Sequence, residues 1–367
     1  MSGGVDSSLA AALLVEQGYD VVGVSMRLWE GGESGCCSLD DFLDARRVAD
    51  QLGIPFYVMD FRAAFGSAVI DQFVAEYRRG RTPNPCARCN QFVKFAAFWD
   101  RARELGAASI ATGHYARTRP GLDGAELHSG ADADKDQSYF LFAVDREVLA
   151  RTVFPIGTMT KAAVRAEAAR RGLPVAAKPD SQEVCFAPRS TYAAFVEQRP
   201  SAEPLRPGLI VDETGAAVGR HDGVHRFTIG QRRGLGSGRA ARYVTGIDAE
   251  RGLVRVGGAA AVMAAGLVAT DANWLAPIPR PGTAVGVKIR SRFTAQSARI
   301  VRADRHGFVV VSAVGMRAIT PGQAAVLYDG ARVLGGGWIA SAVADATRHG
   351  DLQVAKASAA RPDDPAS

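Results

Sequence analysis

The sequence holds no apolar run near the ~20 residues that cross a membrane as a helix, and its opening residues, MSGGVDSS, have neither the basic stretch nor the apolar core of a secretory signal. Both absences predict a cytoplasmic chain with no membrane contact. Cysteine is scarce, five in 367 residues, and an odd number without an export signal argues against a disulfide framework. Reduced thiols with buried, metal-binding or catalytic roles are what remain. No internal repeat or long low-complexity tract stands out, which excludes fibrous and largely disordered classes.

What is present is an ordinary globular composition, 47% hydrophobic and 22% charged, in a chain long enough for two or three domains. The formal charge of +6 suits a polyanionic partner without demanding one. Up to about residue 200, apolar strands (VVGVSM at 21–26, FYVM at 56–59, SIAT at 109–112) alternate with helical stretches such as DDFLDARRVADQLG. That alternation predicts α/β architecture with a parallel sheet, and Gly53, Gly106 and Gly172 read as stop signals just past helix ends. Beyond Pro200, short glycine-punctuated strands take over, as in GLIVDETGAAVGRHDGVHRFTIGQRRGLG, the pattern of small β-barrels. An Ala-rich, helix-compatible stretch near 259–265 divides this part. The expected organisation is an ATP-binding catalytic α/β domain over 1–200, a small β-rich domain over 201–262, a β-barrel over 263–340 and a disordered tail over 341–367.

Ser2-Gly3-Gly4-Val5-Asp6-Ser7-Ser8 runs straight into LAAALLVEQGY, so a glycine-rich turn delivers small polar residues to the start of an apolar-faced helix. Backbone N–H groups in such a turn cradle phosphate. The turn lacks the Gly-Lys-Ser/Thr ending of a Walker loop, and with it the lysine that reaches the outer phosphates in γ-phosphoryl transfer. Other chemistry is implied. A plain glycine turn accounts for the two glycines but not for Asp6, Ser7 and Ser8 at this spacing. With no strand ahead of the loop, either the start is misassigned or the sheet lacks a strand.

RRGRTPNPCARCNQFVKFAAFWDRA sets Cys89 just before a predicted amphipathic helix with Phe92, Phe95 and Phe98 or Trp99 inward. A thiol at a helix N-terminus is acidified, and the thiolate is the nucleophile. The competing reading, Cys86-x-x-Cys89 as half of a structural zinc site, finds no second Cys/His pair at ligand spacing. Cys185, in KPDSQEVCFAP, has a polar context, although a single cysteine is ordinarily a small buried hydrophobe. Arg78, Arg79 and Arg81 read equally as phosphate contacts or as a solvated face.

SGGVDSS resembles the pyrophosphate loop of the ATP pyrophosphatase (PP-loop) superfamily. With ATGHYAR, GADADKDQSYFL, FPIGTMTKAAVR, TIGQRRGLG and PGQAAVLYDG following in one order, the chain from residue 1 to about 340 resembles the bacterial and organellar tRNA-specific 2-thiouridylases. The resemblance implies an adenine nucleotide alpha-hydrolase-like N-terminal domain followed by two small β-barrel domains. It implies that Met1, Ser2, Gly3, Gly4, Val5, Asp6, Ser7, Met26 and Gly113 hold ATP with Mg2+, and that ATP adenylates the C2 oxygen of the wobble uridine in tRNA species such as those for Lys, Glu and Gln. Cys185 is then the persulfide carrier, loaded by a sulfur-relay protein or cysteine desulfurase, and Cys89 the nucleophile or resolving thiol. Contacts to tRNA or its target base are implied at Asn84, Pro85, Cys86, His114, Lys135, Asp136, Gln137, Arg290, Ser291 and Gln323, with side chains suited to base edges and phosphate.

Two departures stand out: Cys86 where many relatives carry an aspartate, and Ser291 where an aromatic commonly follows the arginine. Cys36-Cys37 resemble a variable region with no catalytic role. Two alternatives stay open, an iron–sulfur cluster on Cys86, Cys89 and Cys185 and a non-catalytic tRNA-binding protein. An amide- or guanidine-forming ligase leaves the cysteines unexplained.

Overall fold

The computed structural model describes residues 1–30, 38–180, 184–187, 192–200, 205–235 and 242–344. Cys36, Cys37 and the tail from 345 onward lie outside the described residues.

The N-terminal part follows the predicted alternation. Strand Gly23–Arg27 pairs in parallel with Phe56–Asp60, placing Met26 opposite Met59, and Ile110–Ala111 pairs in parallel with Thr152–Val153. Helix Leu39–Leu52 connects the first two strands. Ser38 caps its start by accepting the Asp41 N–H, and Gly53 ends it in the left-handed region at φ 67, a conformation that is strained for residues with a Cβ. Helix Val5–Glu16 buries Val5, Leu9, Ala10 and Ala12 in a core shared with Val48, Ile156 and Val164. Leu9 is fully enclosed, a burial that stabilises by about 1.5–3 kcal/mol.

The cysteine-bearing helix starts earlier than the sequence suggests. Asn84 caps it, its Oδ1 accepting the Ala87 N–H at 3.2 Å, and Pro85 fills the first helical position, where its missing N–H costs nothing. Pro85–Cys89 continues through a π-wound stretch, Asn90–Ala97, into Phe98–Glu104. Cys89 therefore lies one turn inside the helix, and Cys86 occupies the first turn. The wider winding also shifts the inward phase: Phe95 is buried and Phe98 and Trp99 pack beside it, whereas Phe92 is 40% exposed under the Arg88 guanidinium.

In the C-terminal part, strands Met263–Trp274, Ala284–Lys288, Gln296–Asp304, Gly307–Arg317, Ala324–Asp329 and Arg332–Val343 form an antiparallel six-stranded barrel. The first and last of these pair to close it. The Ala-rich stretch forms only a 3-10 turn, Ala260–Val262, before strand pairing begins at Met263, because burial between neighbouring strands outweighs alanine's helix propensity. The last strand runs to Val343, past the expected start of the tail. A hairpin from the first part, Ala116–Gly121 with Gly124–Ser129, adds to the barrel's edge through Leu127 opposite Val333. The central part is a four-stranded sheet over a core of Ile210, Phe227, Val244 and Val254.

All three parts meet at the segment ahead of the cysteine helix. The Thr82 N–H donates to Pro321 O at 2.9 Å, the Gln323 amide donates to Thr82 O at 3.0 Å and Pro83 O at 2.9 Å, and the Thr82 and Thr228 hydroxyls lie 3.0 Å apart. Nearby, Arg78 donates to the Val196 and Arg199 carbonyls and Arg81 pairs with Glu76 at 2.8 Å. These two arginines brace the protein rather than form a solvated face. No helix among the described residues is long and apolar enough to cross a membrane.

Candidate active site

The glycine loop sits at the start of helix Val5–Glu16, packed against Gly113 just beyond the end of strand Ile110–Ala111. Sheets of this kind take ligands at the carboxyl ends of their strands. Gly3 has φ +68, and a Cβ there would lie 2.3 Å from Asp41 O. The Ser2 N–H donates to Ser7 Oγ at 3.1 Å, and Ser8 Oγ donates to Gly4 O at 2.9 Å. No side chain caps the helix, so its first N–H groups are directed at the loop, where an anion is a suitable acceptor.

Asp6 accepts from the Tyr115 hydroxyl at 2.7 Å and from Lys161 Nζ at 2.8 Å on each carboxylate oxygen. Burial and the Asp6 charge push the Tyr115 hydroxyl far above its usual range, so it remains a donor. Lys161 also lies 2.7 Å from Asp180, which holds Lys135 at 2.8 Å and Arg165 at 2.9 Å. Burial alone would raise the Asp180 carboxyl, but hydrogen bonds from Lys135 and Lys161 outweigh it and bring the value down to about 2. Sequence reasoning did not single out Lys161 or Asp180. The one local signal was TMTK, where Thr160 caps helix Lys161–Arg170 and fixes the lysine at its first position.

Cys89 belongs to an apolar cluster with Phe61, Phe65, Phe73 and Phe186, and Cys185 and Met26 both pack against it. Two cysteines from distant stretches and one residue of the expected nucleotide set are thereby gathered together. Cys89 is buried, Cys185 half-buried and Cys86 exposed, all three as thiols. The helix-end field expected at Cys89 falls on Cys86 instead. No group of three His, Cys, Asp or Glu side chains among the described residues is arranged to hold a metal ion.

His114 follows Gly113, its Nδ1 2.8 Å from Thr112 Oγ1 and its ring 5.7 Å from Phe95 on the cysteine helix. Burial first and the Lys94 charge second lower its pKa to about 3, so it is neutral at physiological pH and able to donate or accept toward a base. Because the folded value lies below the unfolded one, near 6.5, this histidine's contribution to stability is complete above about pH 6.5 and is lost as pH falls toward 3. The melting temperature of wild type is therefore expected to fall more steeply between pH 6.5 and 4.5 than that of His114→Gln. Parallel profiles would reject the assignment.

The remaining expected tRNA contacts divide. Asn84, Asp136, Gln137 and Gln323 bond within the protein: Asp136 takes Lys288 at 3.0 Å and the Gly130 and Ser138 N–H groups, and Gln137 Oε1 accepts the Tyr115 N–H at 2.9 Å. Pro85 is buried at the helix start. Lys135, Arg290 and Ser291 are partly open. Arg290 donates to Ala318 O and lies 5.4 Å over the ring of Phe293, which is 49% exposed. An aromatic partner for the arginine thus exists, two residues beyond Ser291.

Family models match along the chain: one described as tRNA methyl transferase HUP domain over residues 1–189, a PRC-barrel domain of the same series over 194–258, and an aminomethyltransferase beta-barrel domain over 264–339. Among curated relatives, a protein of Geotalea uraniireducens named tRNA-specific 2-thiouridylase MnmA is 51% identical over 94% of this chain and 94% of its own length. Proteins of the same name from Geobacter metallireducens and Rhodospirillum centenum are 49% and 48% identical over 94% of this chain, with 96% and 91% of their own lengths covered. With that identity sustained along nearly the whole chain, on a fold that gathers the glycine loop's partners and both cysteines, the chain belongs to the tRNA-specific 2-thiouridylase family.

Proposed function

We propose that this chain is an ATP-dependent tRNA sulfurtransferase that converts C2=O of the wobble uridine to C2=S. The observation that carries the reading is the shared cluster of Cys89, Cys185 and Met26, and the relatives' names agree with it. The uridine C2 oxygen attacks the α-phosphorus of ATP; the O–P bond forms, the bond to the β-phosphate oxygen breaks, and pyrophosphate leaves. The loop's N–H groups hold the phosphates. Mg2+ takes one or two carboxylates plus phosphate oxygens; Asp6 is the carboxylate placed at the loop, its oxygens held here by Lys161 and Tyr115, and an ion shared between it and the phosphates would supply charge neutralisation there.

Cys185, loaded as a persulfide by a relay protein or cysteine desulfurase, meets Cys89. The Cys89 thiolate attacks the inner sulfur, a Cys89–Cys185 disulfide forms, and sulfide leaves to attack C2, displacing AMP. The disulfide carries the two electrons' worth of oxidation, so each turnover requires a dithiol reductant to return both thiols. The neutral His114 and the exposed Cys86 lie on elements able to flank an everted base.

The test combines purified chain, ATP, Mg2+, an unmodified tRNA transcript, a cysteine desulfurase with cysteine, and dithiothreitol. The expected result is 2-thiouridine by nucleoside mass analysis, with one pyrophosphate per modified base. Binding of tRNA with no pyrophosphate release would favour the non-catalytic alternative.

A further inference from the structure

The sulfur transfer described above ends in a disulfide that is poorly placed for repair. One of its sulfurs, on Cys89, belongs to a residue only 6% exposed, and the other, on Cys185, is half-buried against the same apolar cluster. An external dithiol must reach a disulfide sulfur to reduce it. Cys86 is exposed and lies three residues ahead of Cys89 in helix Pro85–Cys89. That spacing puts both on one face with Cα atoms about 5 Å apart, within the window a disulfide spans. The turn between them is fixed by its neighbours. Asn84 caps it, Ala87 is fully enclosed, and the Arg88 guanidinium lies 4.2 Å over the ring of Trp338 on the barrel.

We infer that Cys86 is a second resolving thiol, which moves the disulfide from the buried pair to the surface, where a protein dithiol reduces it. The inference rests on the sulfur-transfer reading above and adds the step that closes each cycle. The Cys86 thiolate attacks the Cys89 sulfur of the Cys89–Cys185 disulfide. The Cys86–Cys89 bond forms, the Cys89–Cys185 bond breaks, and Cys185 leaves as a thiolate, free to be loaded with sulfur again. This exchange involves no net oxidation. A dithiol protein of the thioredoxin type then attacks the Cys86 sulfur, Cys89 leaves as a thiolate, and the dithiol's second sulfur displaces Cys86, so both electrons come from the dithiol. A thiol held one turn away on the same helix acts at an effective concentration that no dissolved dithiol reaches.

The test begins with a single turnover of the full chain. Persulfide-loaded protein, freed of reductant and desulfurase, is mixed with ATP, Mg2+ and a tRNA transcript, quenched with acid, alkylated, and its disulfides mapped by peptide mass. Wild type is expected to hold one Cys86–Cys89 disulfide per 2-thiouridine, with Cys185 alkylated, whereas Cys86→Ser is expected to hold Cys89–Cys185. In steady state, with desulfurase, cysteine, thioredoxin, its reductase and NADPH, the ratio of multiple-turnover to first-turnover rate is expected to fall about tenfold or more in Cys86→Ser. Excess dithiothreitol is expected to restore most of that ratio. A serine that merely disturbs the helix or the tRNA contact lowers both rates together and leaves the ratio alone, which overturns the inference. Wild type carrying Cys89–Cys185 with Cys86 alkylated also overturns it while leaving the sulfur-transfer reading intact. Formation of 2-thiouridine with all three cysteines alkylated overturns both.

Discussion

Serine in place of Cys185 is expected to remove tRNA thiolation, about a thousandfold or more, the scale seen when a covalent nucleophile is deleted, while pyrophosphate release on mixing with ATP and tRNA persists. The two activities separate because the nucleotide loop packs with Val48, Ile156 and Val164, whereas the cysteines share a different core with Phe61, Phe65 and Phe186. Cys89→Ser is expected to be equally inactive but to differ in what accumulates: Cys185 keeps a one-sulfur mass increment after incubation with the desulfurase, since no neighbouring thiolate releases it. That increment is absent from Cys185→Ser. Cys89 is only 6% exposed, and a hydroxyl placed there costs about 1–3 kcal/mol if it finds no partner. Cys89→Ala and a melting curve therefore accompany it. Thiolation at the wild-type rate by either serine variant sinks the two-cysteine mechanism.

The parts of this molecule that were legible in the sequence are those that local chemistry dictates. Gly53, Gly106 and Gly172 all adopt positive φ, as their places after helical stretches require. The loop-to-helix transition at Gly4–Val5 follows from two glycines ahead of an apolar-faced run. What escaped depends on partners far along the chain. Nothing near residues 116–129 announces that this hairpin joins the barrel at Val333. The cap at Asn84 is written in Asn-Pro, and the helix begins where the cap and the proline put it rather than at Cys89. Nothing near Gln323 announces that its amide meets the carbonyls of Thr82 and Pro83, which holds the cysteine helix from the barrel side. Lys161 was invisible as a site residue because Asp6 and Asp180, which define its place, come from opposite ends of the domain.

Alanine at Gly113 is expected to raise the KM for ATP about a hundredfold, the scale of a misplacement near 1 Å in a reacting constellation. The added methyl would sit 2.6 Å from both the Asp6 carbonyl carbon and the Ser7 nitrogen. Those are main-chain atoms and cannot rotate aside, so the turn carrying Asp6 must move as a unit, taking its N–H groups with it. Overpacking of this kind costs about 1–3 kcal/mol of stability, and the loss of ATP binding has to be separated from that general cost. Gly53→Ala supplies the comparison. Gly53 has φ +67 and nothing within 4 Å of a built Cβ, so alanine there costs about 1–2 kcal/mol through backbone conformation alone and touches no part of the loop. The two variants are expected to melt at similar temperatures while only Gly113→Ala loses ATP, read by titration with ATP and by pyrophosphate release. If Gly113→Ala binds ATP as wild type does, or if Gly53→Ala loses it equally, the glycine loop is not where the nucleotide sits.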